Sequence, residues 1–327
     1  MTDSAAPDDP DPDVVVLRTG TEGLDTDDYA DAIRERLPEA TVARARTPHE
    51  ERELVERAPV VTGVGIDEEL LTAATELELF ACAFAGTGHL PTEELAARGV
   101  TVTNAGGIHA PGIAEQAIGN VLVFARRLHE GWRRKGSREW RHFRSFELTG
   151  STVTVVGLGS IGRAVTQRLA GFEVDTVGVR YTPGKGGPTD EVVGFDERPF
   201  HDALARTDYL IVACPLTDLT RGLVGEAELA TLPSDAVVVN AARGAILDTD
   251  AVVDALRTER LRGVALDVTD PEPLPEDHPL WTLENALITP HTGGHTPRHW
   301  DRLAEILAHN YAARDGDEDL RNVAVSP

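Results

Sequence analysis

The segment Gly157-Leu158-Gly159-Ser160-Ile161-Gly162 constrains this 327-residue chain more than any other. It follows the apolar run STVTVV directly and opens the helix-like stretch GRAVTQRLA. The first glycine permits a tight turn, the second lets backbone approach a diphosphate, and the third lets the helix pack closely on the strand. The helix N-terminus adds free N–H groups and positive potential. A second apolar run, DTVGV, ends just before Arg180, as a βαβ unit requires. The pattern predicts a dinucleotide site lined by Gly157, Gly159, Ser160, Ile161 and Gly162.

The rest of the chain repeats that alternation. VVVLRT, APVVTGVGI, LELFACAF and GVTVTNA read as buried strands before residue 105, with helices at DYADAIRERLPEA and TEELAARG. After residue 150, six apolar runs follow: STVTVV, DTVGV, YLIVACP, AVVVNAA, GVALDV and ALITPH. Continuous apolar runs suggest parallel sheets covered on both faces. Between the two sets lies GIAEQAIGNVLVFARRLHEGWRRKG, read as one long helix, and then a basic aromatic segment suited to a surface arm or subunit contact. Residues 1–13, rich in Asp and Pro, read as a disordered tail. A final helix from about Arg298 to Ala313 has no place in the second sheet.

The second strand of the glycine unit leads into Arg180-Tyr181-Thr182-Pro183-Gly184-Lys185. An acidic residue there would accept hydrogen bonds from ribose hydroxyls, whereas arginine offers a fork of donors to a 2′-phosphate. The expectation is therefore NADP as the preferred cofactor, with NAD also used.

Three later strands each lead into a segment carrying an ionisable residue: Arg243 in NAARG, Asp267 and Glu272 in DVTDPEP, and His291 in PHTGGHT. The C-terminal ends of parallel strands share one rim, where ligands bind. A cation, a carboxylate and a histidine on that rim suit reduction of a 2-keto acid: a grip for the carboxylate, a proton donor for the carbonyl oxygen, and a group keeping that donor charged. His291 and His295 sit four apart, but glycines and a proline argue against a helical metal site, and no metal is expected.

These motifs, VVGLGSIGRAV, CPLTDLTRGLVG, VVVNAARGAILDTDAV, GVALDVTDPEPLPEDHPLW and ITPHTGG, resemble the D-isomer-specific 2-hydroxyacid dehydrogenase family from about residue 80 onward. The resemblance implies an α/β fold of two Rossmann-like domains with parallel sheets, substrate and cofactor lying in the cleft between them. It implies a substrate domain of residues 1–104 completed by 296–327, and a dinucleotide-binding domain of residues 105–295. It also implies hydride transfer from nicotinamide to the keto carbon, with Arg243 binding the substrate, His291 donating the proton and Glu272 pairing with His291. Along the cofactor it places Arg180, Tyr181, Thr182, Cys214, Pro215, Thr220, Ala241, Arg243, Asp267, His291 and Gly293. Ala85 and Gly86, in FAGTGHL, match the loop that holds the substrate carboxylate through backbone N–H groups, although Gly88 replaces the usual Asp. Trp281 is expected to shape the substrate pocket. Family members are usually homodimers. Glu272, where formate dehydrogenases carry glutamine, argues against that activity. Related corepressors, which use the nucleotide as a switch, are the alternative class.

Charge sets the setting. The formal net charge is −24, and only Lys135 and Lys185 are lysines. Such a surface disfavours nucleic acid and anionic lipid as partners, and it suits a protein of a salt-rich cytoplasm, where repulsion is screened. Two cysteines exclude a disulfide scaffold, and no apolar run approaches a membrane span or signal peptide.

Overall fold

The computed structural model describes residues 11–21, 23–314, 316 and 318–327, so most of the expected N-terminal tail lies outside the described residues. Asp11 to Asp13 within it are engaged: the Thr41 N–H donates to Asp13 at 2.7 Å, and Arg57 pairs with Asp11 at 2.7 Å. The chain divides into two compact units, Met1–Ile108 with Thr296–Pro327, and His109–His295. The first crossing falls at Ile108 because Ala105 and Ile108 are buried in the first unit's own core.

The first unit runs β1 (Val14–Val16), α1 (Thr26–Arg36), β2 (Val42–Arg44), α2 (Pro48–Val55), β3 (Val60–Gly63), α3 (Glu68–Ala73), β4 (Leu79–Cys82), α4 (Thr92–Ala97) and β5 (Thr101–Thr103). The second contains α5 (Ala110–Ala125), α6 (Leu128–Gly136), β6 (Thr152–Val156), α7 (Ser160–Leu169), β7 (Asp175–Val179), β8 (Glu191–Val193), α8 (Glu197–Leu204), β9 (Tyr209–Val212), α9 (Glu226–Thr231), β10 (Val237–Asn240), α10 (Thr249–Arg257), β11 (Gly263–Leu266) and β12 (Ala286–Ile288). The chain then re-enters the first unit with α11 (His299–Ala313) and β13 (Val323–Val325).

The first sheet has the order β13-β5-β4-β3-β1-β2, parallel except for β13, which runs antiparallel to β5. Helices α1 and α11 cover one face together, where Tyr29 stacks on Trp300 with ring centroids 4.6 Å apart. The second sheet is parallel throughout, in the order β12-β11-β10-β9-β6-β7-β8. Its order reverses between β6 and β9, the switch point at which such sheets open a ligand crevice. Its inner strands β9, β10 and β11 are buried on both faces, as their unbroken apolar runs require.

Three strands escape the sequence reading: β2, β8 and β13 are three-residue edge strands with few apolar residues to mark them. The expected long helix is also two helices. The Phe146 N–H donates to the Ala125 carbonyl at 2.8 Å, engaging an acceptor that the next helical turn would use. Arg127 takes a left-handed φ of 51° at the break, and α6 starts after it.

Candidate active site

Register aligns the strand ends of the second unit. Val156 pairs with Val179 and Val212, Val212 with Asn240, Asn240 with Leu266, and Leu266 with Ile288. The residues that follow this row therefore emerge on one rim: Gly157, Arg180, Cys214, Arg243, Asp267 and His291.

At the switch point the glycine turn does what its sequence requires. Gly157 has φ +98°, and a Cβ there would stand 2.6 Å from the Cys214 backbone. Gly162 lies so close to the Gly157 carbonyl that only glycine admits α7 to this position. Gly159, by contrast, faces open space, and α7 begins there without a side-chain cap. The first N–H groups of α7 thus remain available to an anion. Beside them is a cleft of about 420 Å³ lined by the glycine turn, by Arg180, Tyr181 and Thr182, and by Cys214, Pro215 and Thr220. The open space at Gly159 and the uncapped N–H groups of α7 would suit the diphosphate of a dinucleotide. Phe195 and Leu219 also line the cleft, and sequence patterning gives no sign of them.

The cleft's walls are held from within. Thr220 donates its hydroxyl to the Pro215 carbonyl at 2.6 Å, which fixes the turn after β9. Burial pushes the Cys214 thiol up to about 11, so it stands as a neutral wall. Arg180 is half-buried, and its Nη1 donates to the Gly186 carbonyl at 2.6 Å, which orients the guanidinium while leaving other donors of its fork.

Further along the rim, His291 Nδ1 lies 2.7 Å from Glu272 Oε1, both side chains about half exposed. A carboxylate on Nδ1 fixes the proton there and leaves Nε2 as the nitrogen that holds or releases a second proton. His291 has φ +52°, a conformation histidine adopts more readily than bulkier residues. Its N–H donates to the Asp267 carbonyl at 2.8 Å.

Asp267 organises that loop. Its carboxylate accepts from Gln116 at 2.7 Å, Thr289 at 2.6 Å, the Thr292 N–H at 3.0 Å and the Gly293 N–H at 2.9 Å. Burial alone would raise its pKa, but these four donors outweigh it and hold the carboxyl below its ordinary range. Gln116 and Thr289 are the functional neighbours that sequence reading missed; Gln116 lies 151 residues away.

Arg243 is exposed, and among the described residues no carboxylate pairs with it. Its Nη1 donates to the Ala242 carbonyl at 2.6 Å, and Asn240 holds its own carbonyl at 2.9 Å. Gly244 packs against the backbone of Thr269, where a Cβ would stand 2.0 Å away, so the Arg243 turn and the segment leading to Glu272 are locked together. Arg243 is thus an unpaired cation in a chain of net charge −24, on the same sheet edge as the His291–Glu272 pair.

Three further expected residues stand on other segments. Ala85 and Gly86 are exposed in the loop after β4 of the first unit. Trp281 is half exposed in the turn before β12, its indole N–H bonded to the Pro275 carbonyl at 2.9 Å, and no hydrogen bond links it to Arg243, Glu272 or His291. Among the described residues no cluster of His, Cys, Asp and Glu could hold a metal, and no helix is long and apolar enough to cross a membrane.

Residues 118–293 match the model of the D-isomer specific 2-hydroxyacid dehydrogenase NAD binding domain. The chain is 32% identical over 288 residues to D-3-phosphoglycerate dehydrogenase of Methanocaldococcus jannaschii, covering 86% of this chain and 54% of that protein. It thus spans about half the length of that relative. It is 32% identical over 258 residues to glyoxylate reductase of Pyrococcus furiosus, covering 76% of each. Among solved structures, the D-isomer specific 2-hydroxyacid dehydrogenase from Xanthobacter autotrophicus Py2, in complex with NADPH and MES, is similar with a TM-score of 0.76 at 25% identity, covering 96% of this chain and 98% of that one. The chain belongs to the D-isomer specific 2-hydroxyacid dehydrogenase family.

Proposed function

We propose that this protein is an NAD(P)-dependent D-2-hydroxyacid dehydrogenase acting as a 2-ketoacid reductase. The observation that carries this reading is the His291–Glu272 pair at 2.7 Å on the same rim as the unpaired Arg243 and the glycine cleft. The nicotinamide cofactor, when bound, supplies the hydride. Arg243 grips the carboxylate and carbonyl of the keto acid with its planar fork. His291 gives the Nε2 proton to the carbonyl oxygen as negative charge develops there, and Glu272 stabilises the imidazolium before that transfer. Ala85 and Gly86 offer backbone N–H groups to the carboxylate, so residues 1–104 and 296–327 act as the substrate domain and 105–295 as the cofactor domain. The name of the Pyrococcus relative supports glyoxylate, or a similarly small keto acid, as substrate.

For the cofactor, NADPH is preferred and NADH is also used. Arg180, with Tyr181 and Thr182 beside it on the cleft wall, has donors for a 2′-phosphate and no acceptor for ribose hydroxyls. A charge-assisted contact contributes about 1.5–3 kcal/mol, or roughly ten- to a hundredfold in preference. The protein works as a cytoplasmic homodimer through α6 and the arm after it, where Trp132 on α6 is 64% exposed and Trp140 in the arm is fully exposed. Buried free thiols at Cys82 and Cys214 are compatible with a reducing compartment.

The test is turnover of glyoxylate, hydroxypyruvate, pyruvate and branched 2-keto acids with each reduced cofactor, for the wild type and Arg180→Asp. The wild type should reduce at least one acid with higher kcat/KM for NADPH, and the variant should invert that order. Absence of turnover with every acid would favour a nucleotide-sensing protein instead, and a wild type favouring NADH would overturn the cofactor assignment.

A further inference from the structure

The loop after β4 is open. Ala85, Gly86 and Gly88 are exposed, and a Cβ placed on either glycine would meet nothing within 4 Å. Side-chain packing therefore does not orient the peptide groups at Ala85 and Gly86. Their carbonyl partners do. A peptide unit is planar and trans, so bonding the oxygen of one residue aims the N–H of the next in the opposite direction. The Phe84 carbonyl accepts from the Ala105 N–H at 3.1 Å, which aims the Ala85 N–H. The Ala85 carbonyl accepts from Asn104 Nδ2 at 2.8 Å, which aims the Gly86 N–H.

Asn104 is in turn held from a distant part of the chain. Its Oδ1 accepts from the Gly106 N–H at 2.9 Å, and its N–H donates to the Asn322 carbonyl at 3.1 Å. Asn322 Nδ2 donates to the carbonyls of Asn104 at 3.1 Å and Gly106 at 2.8 Å. Asn322 sits at φ +56° just before β13. The preceding residue, Arg321, is clamped through both its N–H and its carbonyl by Asn310, a fully buried amide on α11. A relay of three asparagines thus runs from a core helix to the exposed Ala85–Gly86 peptide plane.

We propose that Asn104 and Asn322 are positioning residues for the substrate, aiming the Gly86 N–H group at its carboxylate beside the Ala85 N–H, which the Ala105 backbone aims. The inference rests on the reading above, that these N–H groups grip the keto acid. Specificity for a carboxylate here is set by backbone orientation, and at Gly86 that orientation is set by side-chain amides that never touch the ligand.

Four variants test it, read as separate KM values for keto acid and cofactor together with Tm. Asn104→Ala frees the Ala85–Gly86 plane. Asn322→Gly keeps the left-handed backbone and removes the amide donor. Gly86→Pro deletes one gripping N–H, and Val325→Ala trims a side chain that packs on the core from β13. Each of the two asparagine variants should raise KM for the keto acid roughly 3- to 10-fold, with kcat changing less and KM for the cofactor within about twofold. Val325→Ala should lower Tm and leave KM for the keto acid unchanged. Unchanged KM in Asn104→Ala and Asn322→Gly, alongside raised KM in Gly86→Pro, overturns the positioning role alone. Unchanged KM in Gly86→Pro overturns the gripping reading and this proposal with it. A KM that rises with any loss of Tm, in Val325→Ala as in the asparagine variants, also overturns it.

Discussion

The two sheets present different kinds of chemistry at the C-terminal ends of their strands. The seven-stranded sheet of the second unit ends in side chains: Arg243 after β10, Asp267 after β11, and His291 after β12. The loop after β4 in the six-stranded sheet ends in peptide groups, at Ala85 and Gly86, oriented by the Ala105 backbone and by asparagine amides respectively. Both sheets are wound almost entirely parallel, so fold alone does not distinguish them. What differs is which atoms the rim exposes, and hence what each can do: side chains can move protons and carry charge, whereas peptide N–H groups can only hold.

That contrast can be broken by removing one function at a time. His291→Ala should cost most, roughly 10²–10⁴-fold in kcat, because the proposed mechanism loses its proton donor while the glycine cleft stays intact. Steady-state turnover with a Tm measurement checks it. Arg243→Lys should follow, raising KM for the keto acid and lowering kcat together, on the order of 10²-fold in kcat/KM. A point charge cannot hold carboxylate and carbonyl at once, and small misplacements are costly. An unchanged KM would mean that Arg243 serves only the fold.

Asp267 allows a sharper test, because it belongs to the same rim yet is buried. Its folded-state pKa is depressed. It therefore contributes stability that is fully present above its unfolded pKa, about 4, and is lost as pH falls through the folded value. Asp267→Asn should cost about 1.5–3 kcal/mol near neutral pH, and the gap to wild type should close below about pH 4. Denaturant midpoints across pH read this directly; a gap independent of pH would contradict it. The smallest effect concerns the whole surface. Screening shrinks from about 10 Å at 0.1 M salt to about 3 Å at 1 M, so Tm should rise as self-repulsion of the −24 surface falls. A flat or falling Tm would remove the case for salt adaptation.

The same contrast explains what was legible in the sequence. Long apolar runs such as YLIVACP and AVVVNAA announce themselves because both faces of β9 and β10 are buried. The edge strand β8 does not, since EVV carries one charge and only half-buried valines. The break at Arg127 is set by a bond from Phe146, nineteen residues ahead, so no local residue marks it. The pairing of His291 with Glu272 was legible because each lies in a motif that follows an apolar strand. Gln116 was not, because its partner Asp267 lies 151 residues away and glutamine carries no chemical signature. The asparagine relay was invisible for a similar reason: Asn104 and Asn322 are 218 residues apart, and what they orient is backbone.

The most direct test of this division of labour is turnover at saturating keto acid in two variants, His291→Ala and Gly86→Pro, each with NADPH in excess. If one rim reacts and the other only grips, Gly86→Pro should recover most of the wild-type kcat as substrate is raised, its defect lying in KM. His291→Ala should remain at least about a hundredfold below wild type at every concentration. A His291→Ala enzyme that reaches wild-type turnover at saturation would contradict the assignment of the proton donor and, with it, the reading of the second unit's rim as the reacting one.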